Sequence, residues 1–343
     1  MELKISVPRQ DYKVLVRCFT FNQSKYIEDT LNGFVMQKTD FPYVCVIVDD
    51  SSTDGEQELI KAYINKEFEM AKSEEYETGY ANITIAPHKS NPNCTFIVFF
   101  LKYNHYSKKQ RKSIYLQPWR ECSVYEAICE GDDYWVRSDK LQMQVDFLDS
   151  HPECQYVFTA RYVDDENKHT RTIQRYKKRA YTTHDILSGF NPGIQNVCYR
   201  VDLTKNFVQY WGINSDRLIP YCASLIGTID YIDEITSVYR ITGEGVSTSI
   251  KKEDWFRHAA TDFYRFHSVC KSKDKKAYKK GMANYLNAIN LPKRQLWKYP
   301  SVIYRIIKPI NPDLRLVDCY SMVYYWIIKT IKRTLRLTDI KEN

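Results

Sequence analysis

The sequence predicts an α/β fold: a mixed, doubly wound sheet flanked by helices. Three observations predict it. Apolar runs of strand length alternate with amphipathic helical stretches from residue 13 onward. Two of those runs stop abruptly in carboxylates, as strands do when their ends line a ligand crevice. The 343 residues are 43% hydrophobic and 27% charged, which allows one large domain or two with a real core.

"KVLVRCF" (13–19) reads as a buried strand. In "TFNQSKYIEDTLNGFVMQ", Ile27, Leu31, Phe34 and Val35 recur at helical spacing, and Asn22 or Ser24 is expected to cap that helix. "YVCVIV" (43–48) is a second strand that runs into Asp49 and Asp50. Thr53 and Glu56 then have the spacing of a capping box, and Leu59, Ile60, Tyr63 and Ile64 form an inward helical face. From Asn65 to about Ser123 the pattern loosens. "EFEMAKSEEYETGY" reads as a helix end and surface loop, "NITIA" and "FIVFFL" as strands, and "SKKQRKS" as a basic loop. "SVYEAIC" is a short helix or strand. "SDKLQMQVDFLDS" is a capped helix with Leu141, Val145 and Leu148 inward, and "QYVFTARYV" is another strand. "GTIDYIDEITSVYRI" is a strand pair or one bent strand, and the text beyond Lys251 is helical and basic.

"CEGDDYW" places Glu130, Asp132 and Asp133 within four residues. Such a cluster is either a solvated acidic turn or a place for a divalent cation, whose charge offsets the repulsion. Asp49 and Asp50 end an earlier strand, so two acidic strand ends are expected on one edge of the sheet. One pair suits base or ribose hydroxyls, and the other suits a metal on phosphates. With only 11 Gly, the chain has neither GxGxxG nor GxxxxGK[ST], so a glycine loop does not cradle those phosphates.

The ten cysteines include no CxxC pair and the seven histidines no HExxH spacing, which points to buried reduced thiols in a cytosolic protein. "MELKISVPRQ" lacks the apolar core of a signal peptide, and no apolar run is long enough to span a bilayer. Charge is uneven: residues 251–343 hold 21 Lys+Arg against 8 Asp+Glu, and residues 1–250 hold 29 against 34. "LVDCYSMVYYWIIKTIKRTLRL" reads either as a basic amphipathic segment on an anionic membrane surface or as a helix packed on the catalytic domain or a dimer partner.

In this order the motifs resemble the family 2 glycosyltransferases, which have the GT-A fold. "VLVRCFTFNQSKYIEDTL" is similar to that family's opening strand and helix, with Thr20 and Asn22 in the usual places. "VIVDDSSTDG" is similar to its nucleotide-binding turn, and Glu130-Gly131-Asp132 fills the slot of its D-x-D motif. "SDKLQMQVDFLDSHPE" matches the helix that follows, and "INSDRLIPYCASLIGTIDYIDEITSVYRITGEGVS" the acceptor half. The resemblance covers about residues 13–250 and is strongest to bacterial members that build surface polysaccharides. The chain departs from the pattern at Glu130, one methylene longer than Asp, at Ser215 before Asp216, and at Thr242, where a His is common.

The resemblance implies a metal-dependent, inverting hexosyl transfer from a nucleoside-diphosphate sugar, with UDP the default, to a hydroxyl of a saccharide or lipid-linked saccharide. Asp132 would be the direct ligand of Mn²⁺ or Mg²⁺, with Glu130 beside it. Asp50 would recognise the nucleoside with help from Asp49, and Thr20, Asn22, Glu130 and Asp133 would line the donor site. Asp216 would be the general base. Plainer roles stay open: a helix-start carboxylate for Asp133, a helix-dipole partner for Asp49, an N-cap for Asp216. Lys108, Lys109 or Arg111 could touch phosphate, and Trp119, Trp135 or Trp211 could stack on sugar, against solvated-loop and core alternatives. The expected organisation is a catalytic domain over 1–250, with a nucleotide-sugar half to about 135 and an acceptor half from 136, then a helical basic region over 251–343. The expected location is cytoplasmic, peripheral on the inner face of the membrane. Two other classes compete: a nucleotidyltransferase or pyrophosphatase on a similar sheet, and a basic nucleic-acid-binding protein. Phe19–Ser24 lacks the glycine-rich, lysine-bearing loop of the first, and the acidic front argues against the second, so no nucleic-acid partner is expected.

Overall fold

The computed structural model describes residues 11–206, 216–243, 252–269, 275–288 and 293–339. The chain divides into two compact units: 1–180, 192–206 and 226–242 form the first, and 181–191, 207–225 and 243–343 the second.

The first unit is a mixed sheet with helices against it. Its strands are β1 (Tyr12–Thr20), β2 (Tyr43–Asp49), β3 (Glu74–Glu77), β4 (Ala81–Pro87), β5 (Cys94–Leu101), β6 (Ser123–Ile128), β7 (Tyr134–Trp135), β8 (Cys154–Asp165), β9 (Thr170–Gln174), β10 (Ala180–Tyr181), β11 (Val197–Arg200) and β12 (Thr228–Ile241). The sheet order is β10-β12-β8-β11-β6-β1-β2-β5-β4-β3, with β7 on β12 and β9 on β8. β6, β1, β2 and β5 run parallel, so their carboxyl ends share one edge. β11 is antiparallel to β6, and β3, β4 and β5 form an antiparallel meander.

Parallel strands covered on both faces read as unbroken apolar runs. In β2, Tyr43, Cys45 and Ile47 point into one core with Ile27, Leu31 and Phe34 of α1 (Ile27–Val35). Val44, Val46 and Val48 point into the other, with Tyr115, Leu116 and Trp119. α2 (Glu56–Glu67) and α4 (Lys140–Ser150) complete the first core through Ile60, Tyr63, Leu141, Val145 and Leu148. α3 (Gln117–Glu121) carries Trp119.

Several local expectations are corrected. α1 starts from Tyr26 with no side-chain cap: the helix begins beyond Ser24, and Asn22 Oδ1 accepts from Thr53 N instead. The Thr53–Glu56 capping box does not form: α2 follows Gly55 at φ +91°, and the Glu56 side chain turns toward β1. Leu59 is exposed rather than inward. α4 likewise has no side-chain cap. The loop expected around residues 68–80 contains β3. "SVYEAIC" forms the strand β6, and "GTIDYIDEITSVYRI" is one strand, β12, whose register slips around Ile232–Ser237.

The second unit holds the short α5 (Thr183–Leu187), with α6 (Asp202–Asn206) of the first unit preceding α7 (Leu218–Ile226) in the chain. α8 (Lys252–Val269), α9 (Lys275–Met282), α10 (Tyr299–Ile307) and α11 (Leu316–Asp339) follow. Ala260, Phe263, Met282, Ile303, Cys319 and Met322 belong to its apolar core. No helix among the described residues is long and apolar enough to cross a membrane.

Candidate active site

β1 lies between the two acidic strand ends. Its last residue, Thr20, pairs in register with Asp49 of β2. On its other side β1 runs parallel with β6, which leads into Glu130–Asp133. The sequence separates these turns by about 80 residues, and the sheet puts both on one edge.

The turn after β2 is built by side chains. Asp49 is fully buried, and its Oδ1 accepts from Ser52 N at 3.1 Å and Gln57 Nε2 at 2.5 Å. Its Oδ2 is buried without a hydrogen-bond partner. Burial raises the Asp49 carboxyl above its ordinary range, and the Ser52 and Gln57 contacts oppose that rise. Asn22, at φ +53°, joins this turn to β1: its N–H donates to Ser52 Oγ at 2.9 Å, and its Oδ1 accepts from Thr53 N at 2.8 Å. Glu56 does the same from α2. It accepts from Gln23 N and Ser52 Oγ, each at 2.9 Å, and from the Thr20 hydroxyl.

Asp50 is equally buried but points the other way. Oδ1 accepts from His105 N at 2.6 Å, and Oδ2 from Tyr106 N at 3.1 Å and Lys112 Nζ at 3.0 Å. An ionised carboxylate offers about four lone-pair sites, so three contacts leave room for one more donor. The side chain is only 1% exposed and is covered by these three partners from the 105–112 loop. Among the basic residues of that loop, Lys112 approaches the acidic edge, while Lys108 sits over the Tyr103 ring at 4.1 Å.

The turn after β6 depends on Gly131. A Cβ there would meet Thr20 Oγ1 and Gln23 Oε1 inside contact distance, so only glycine lets the turn close on the end of β1. Thr30 Oγ1 holds the turn from α1 through Gly131 O at 3.0 Å and Asp133 O at 2.6 Å. The three carboxylates then diverge. Glu130 Oε2 accepts from Phe19 N at 2.9 Å, and Oε1 lies 3.5 Å from Arg17 Nη2. Asp133 is buried and accepts from Arg240 N of β12 at 2.8 Å. Asp132 and Glu130 are both half-buried. Burial raises all three carboxyls above their ordinary range. Arg17 and the Phe19 N–H oppose the rise at Glu130, and Arg240 opposes it at Asp132.

Among the described residues no group of three or more His, Cys, Asp or Glu side chains converges as a metal cage. That does not exclude Mg²⁺ or Mn²⁺, since Mg²⁺ is usually held by one or two carboxylates with substrate phosphates completing the shell. The expected pair, Asp132 and Glu130, has oxygen donors of that kind, and Glu130 already faces Arg17 and Phe19 N. Asp216 lies in the second unit, in an exposed turn before α7, while Thr20, Asn22, Asp49, Asp50, Glu130, Asp132 and Asp133 all lie in the first. Trp119 and Trp135 are core residues, and Trp135 Nε1 donates to Gln195 O at 2.8 Å. Trp211 and Ser215 lie outside the described residues.

Sequence reasoning passes over Arg17, Glu56, Lys112 and Arg240. Arg17 leaves one signal, a cation inside an otherwise apolar strand. Arg240 leaves none, although it reaches Asp132 O at 3.1 Å and Asp29, and covers the Tyr134 ring at 4.2 Å.

Residues 18–84, from the end of β1 to the middle of β4, match the profile of "Glycosyl transferase family 2". The chain is also similar to uncharacterized proteins of Mycobacterium tuberculosis and Mycobacterium bovis, 32% identical over 139 residues and 40% of this chain. The chain matches about a third, 32%, of the length of those relatives. Among solved structures, S. aureus TarS 1–349 in complex with UDP-GlcNAc is similar at TM-score 0.51 and 17% identity, over 95% of this chain and 92% of that one. TarS 1–349 alone gives TM-score 0.50 at 16% identity over the same shares. The fold is a GT-A-like mixed sheet flanked by helices.

Proposed function

We propose that the protein is a metal-dependent, inverting glycosyltransferase. It moves a hexosyl group from a nucleoside-diphosphate sugar to a hydroxyl of a glycan or lipid-linked saccharide in surface polysaccharide synthesis. The observation that carries this reading is the pair of acidic turns flanking Thr20 on the carboxyl edge of parallel strands, the usual ligand edge of such sheets. TarS, similar in fold, is seen with UDP-GlcNAc, which supports a UDP-sugar as donor.

Asp132, with Glu130, would hold Mn²⁺ or Mg²⁺, and the metal would supply charge stabilisation to the departing diphosphate. The unpartnered Asp49 Oδ2 and the fourth acceptor site of Asp50 would take nucleoside N–H or O–H groups. Arg17 and Lys112 lie 5.2 Å from the Phe19 ring and would add positive charge beside the diphosphate. Asp216 would take the proton of the acceptor hydroxyl as the new bond forms, because such a hydroxyl is too weak an acid to ionise at neutral pH. This assignment rests on the sequence resemblance.

The test measures UDP binding with Mn²⁺ or EDTA, and transfer, in Asp132→Ala and Asp216→Asn. Asp132→Ala is expected to abolish the Mn²⁺-dependent part of UDP binding. Asp216→Asn is expected to keep donor affinity and lose roughly 10²–10⁴-fold in transfer rate. UDP binding that is indifferent to EDTA rules out the metal role, and near wild-type transfer by Asp216→Asn moves the base elsewhere.

A further inference from the structure

α11 is apolar on two opposite faces. One face is used: Cys319, Met322 and Val323 are buried in the core of the second unit, with Trp326 and Ile327 packed against it. The other carries Val317, Tyr320, Tyr324, Ile328 and Ile331, each between 37% and 61% exposed. Their spacing of three and four residues makes one continuous stripe. It runs from Val317 to Ile331, fifteen residues and about 21 Å of helix at 1.5 Å per residue. Scattered exposed apolar residues are ordinary, but a contiguous row of five marks an interaction surface.

The charge around the stripe says what covers it. From Cys319 to Thr338 the sequence has no Asp or Glu and four cations: Lys329, which donates to Asn284 Oδ1, and Lys332, Arg333 and Arg336. Asp318, just before, is already neutralised. It accepts from Arg315 N at 3.1 Å and pairs with Lys279 Nζ at 3.1 Å. At the start of the helix, Leu316 lines a hollow of about 460 Å³ together with Tyr304, Arg305 and Lys308. A second copy of this face would cover the apolar row but bring no carboxylate between residues 319 and 338 to meet the cations. A nucleic acid would leave the exposed Val and Ile side chains unused, since phosphates draw only on the charge. A bilayer with anionic lipid satisfies both features at once, with apolar side chains below the headgroups and cations among them.

We infer that the Val317–Ile331 face of α11 is a membrane-interface helix, lying flat on an anionic bilayer. The surface is independent of whatever reaction the first unit performs.

The test is co-sedimentation of the full chain with vesicles of phosphatidylcholine alone, or of phosphatidylcholine and phosphatidylglycerol in equal parts. Wild type is expected to pellet with the anionic vesicles and to be released as salt rises. The triple variant Tyr320→Ser/Tyr324→Ser/Ile328→Ser should partition at least roughly tenfold less. Its melting curve should be unchanged, because the three side chains face away from the core. Arg305→Glu should weaken only the salt-sensitive part. The inference is overturned if wild type stays in the supernatant at low salt, or if the triple variant binds as well as wild type. It is also overturned if the triple substitution instead dissociates a dimer of a protein that never binds vesicles.

Discussion

Lys140 is the clearest case of one residue whose charge state depends on its surroundings. It is fully buried, donates to Gln144 Oε1 at 2.6 Å and lies 4.2 Å from the centre of the Trp135 ring. Burial pushes its ammonium down to about 8. Below that pH both folded and unfolded chains carry the proton, and the folded state bears the desolvation cost. Between about 8 and 10.5 the folded chain has released the proton and the unfolded chain has not, so this residue's contribution to stability rises with pH. The rise is about 3 kcal/mol at 1.36 kcal/mol per pH unit. Lys140→Met removes the term. Gln144 then loses a partner, which sets the absolute offset, yet the variant's stability relative to wild type must fall from pH 7 to pH 10. Chemical denaturation of both proteins at the two pH values checks it; a constant difference contradicts it. Lys140 also shows what is legible at this scale. Its neighbours Leu141 and Val145 are read inward by periodicity, but nothing in the sequence says that a lysine beside them is buried. The carboxylates at 49–50 and 130–133 are legible because charge at a strand end is unusual. Glu56 is misread because local spacing offers a capping box, while two of its three side-chain partners, Thr20 and Gln23, lie more than thirty residues away.

At the scale of elements, the sequence pattern works where one element decides its own fate. β2 and β5 are buried on both faces and read as unbroken apolar runs, and β1 does so apart from Lys13 and Arg17. It fails where a neighbour decides: β6 is settled as a strand by pairing with β1 and β11, and the one bent β12 by β8 and β7. The 105–112 loop is another such element, tethered by Asp50 across more than fifty residues. Hydrogen bonds to a charged acceptor contribute about 1.5–3 kcal/mol each. Asp50→Ala removes three, so the His105 and Tyr106 amides should lose at least roughly tenfold of their protection against hydrogen exchange. If the loop also walls the nucleoside, donor KM rises with it while metal affinity holds. Unchanged exchange at 105–106 would mean that Asp50 does not hold the loop.

At the scale of the molecule, the expected division near residue 250 follows the shift from acidic to basic composition. The compact units follow packing instead, and 181–191 and 207–225 group with 243–343. Within that second unit Ile186, Leu187, Tyr221 and Ala223 are buried. His267 Nε2 lies 3.1 Å from Leu187 O, and the Tyr221 ring meets Phe266 edge-on at 5.5 Å. Gly189, at φ +94°, has no room for a Cβ against Asn284 and Gly281. A fragment ending at residue 250 keeps α5 and α7 but loses the helices they pack on. Each large apolar side chain so exposed forfeits about 1.5–3 kcal/mol of burial. Three of them approach the whole net stability of an ordinary domain, about 5–15 kcal/mol. The fragment 1–250 is therefore expected to melt well below the full chain or to aggregate, with α5 and α7 as its protease-sensitive points. Limited proteolysis and thermal melts of the two forms check this. A monomeric fragment melting at the full-length Tm would show that α5 and α7 stand without α8–α11.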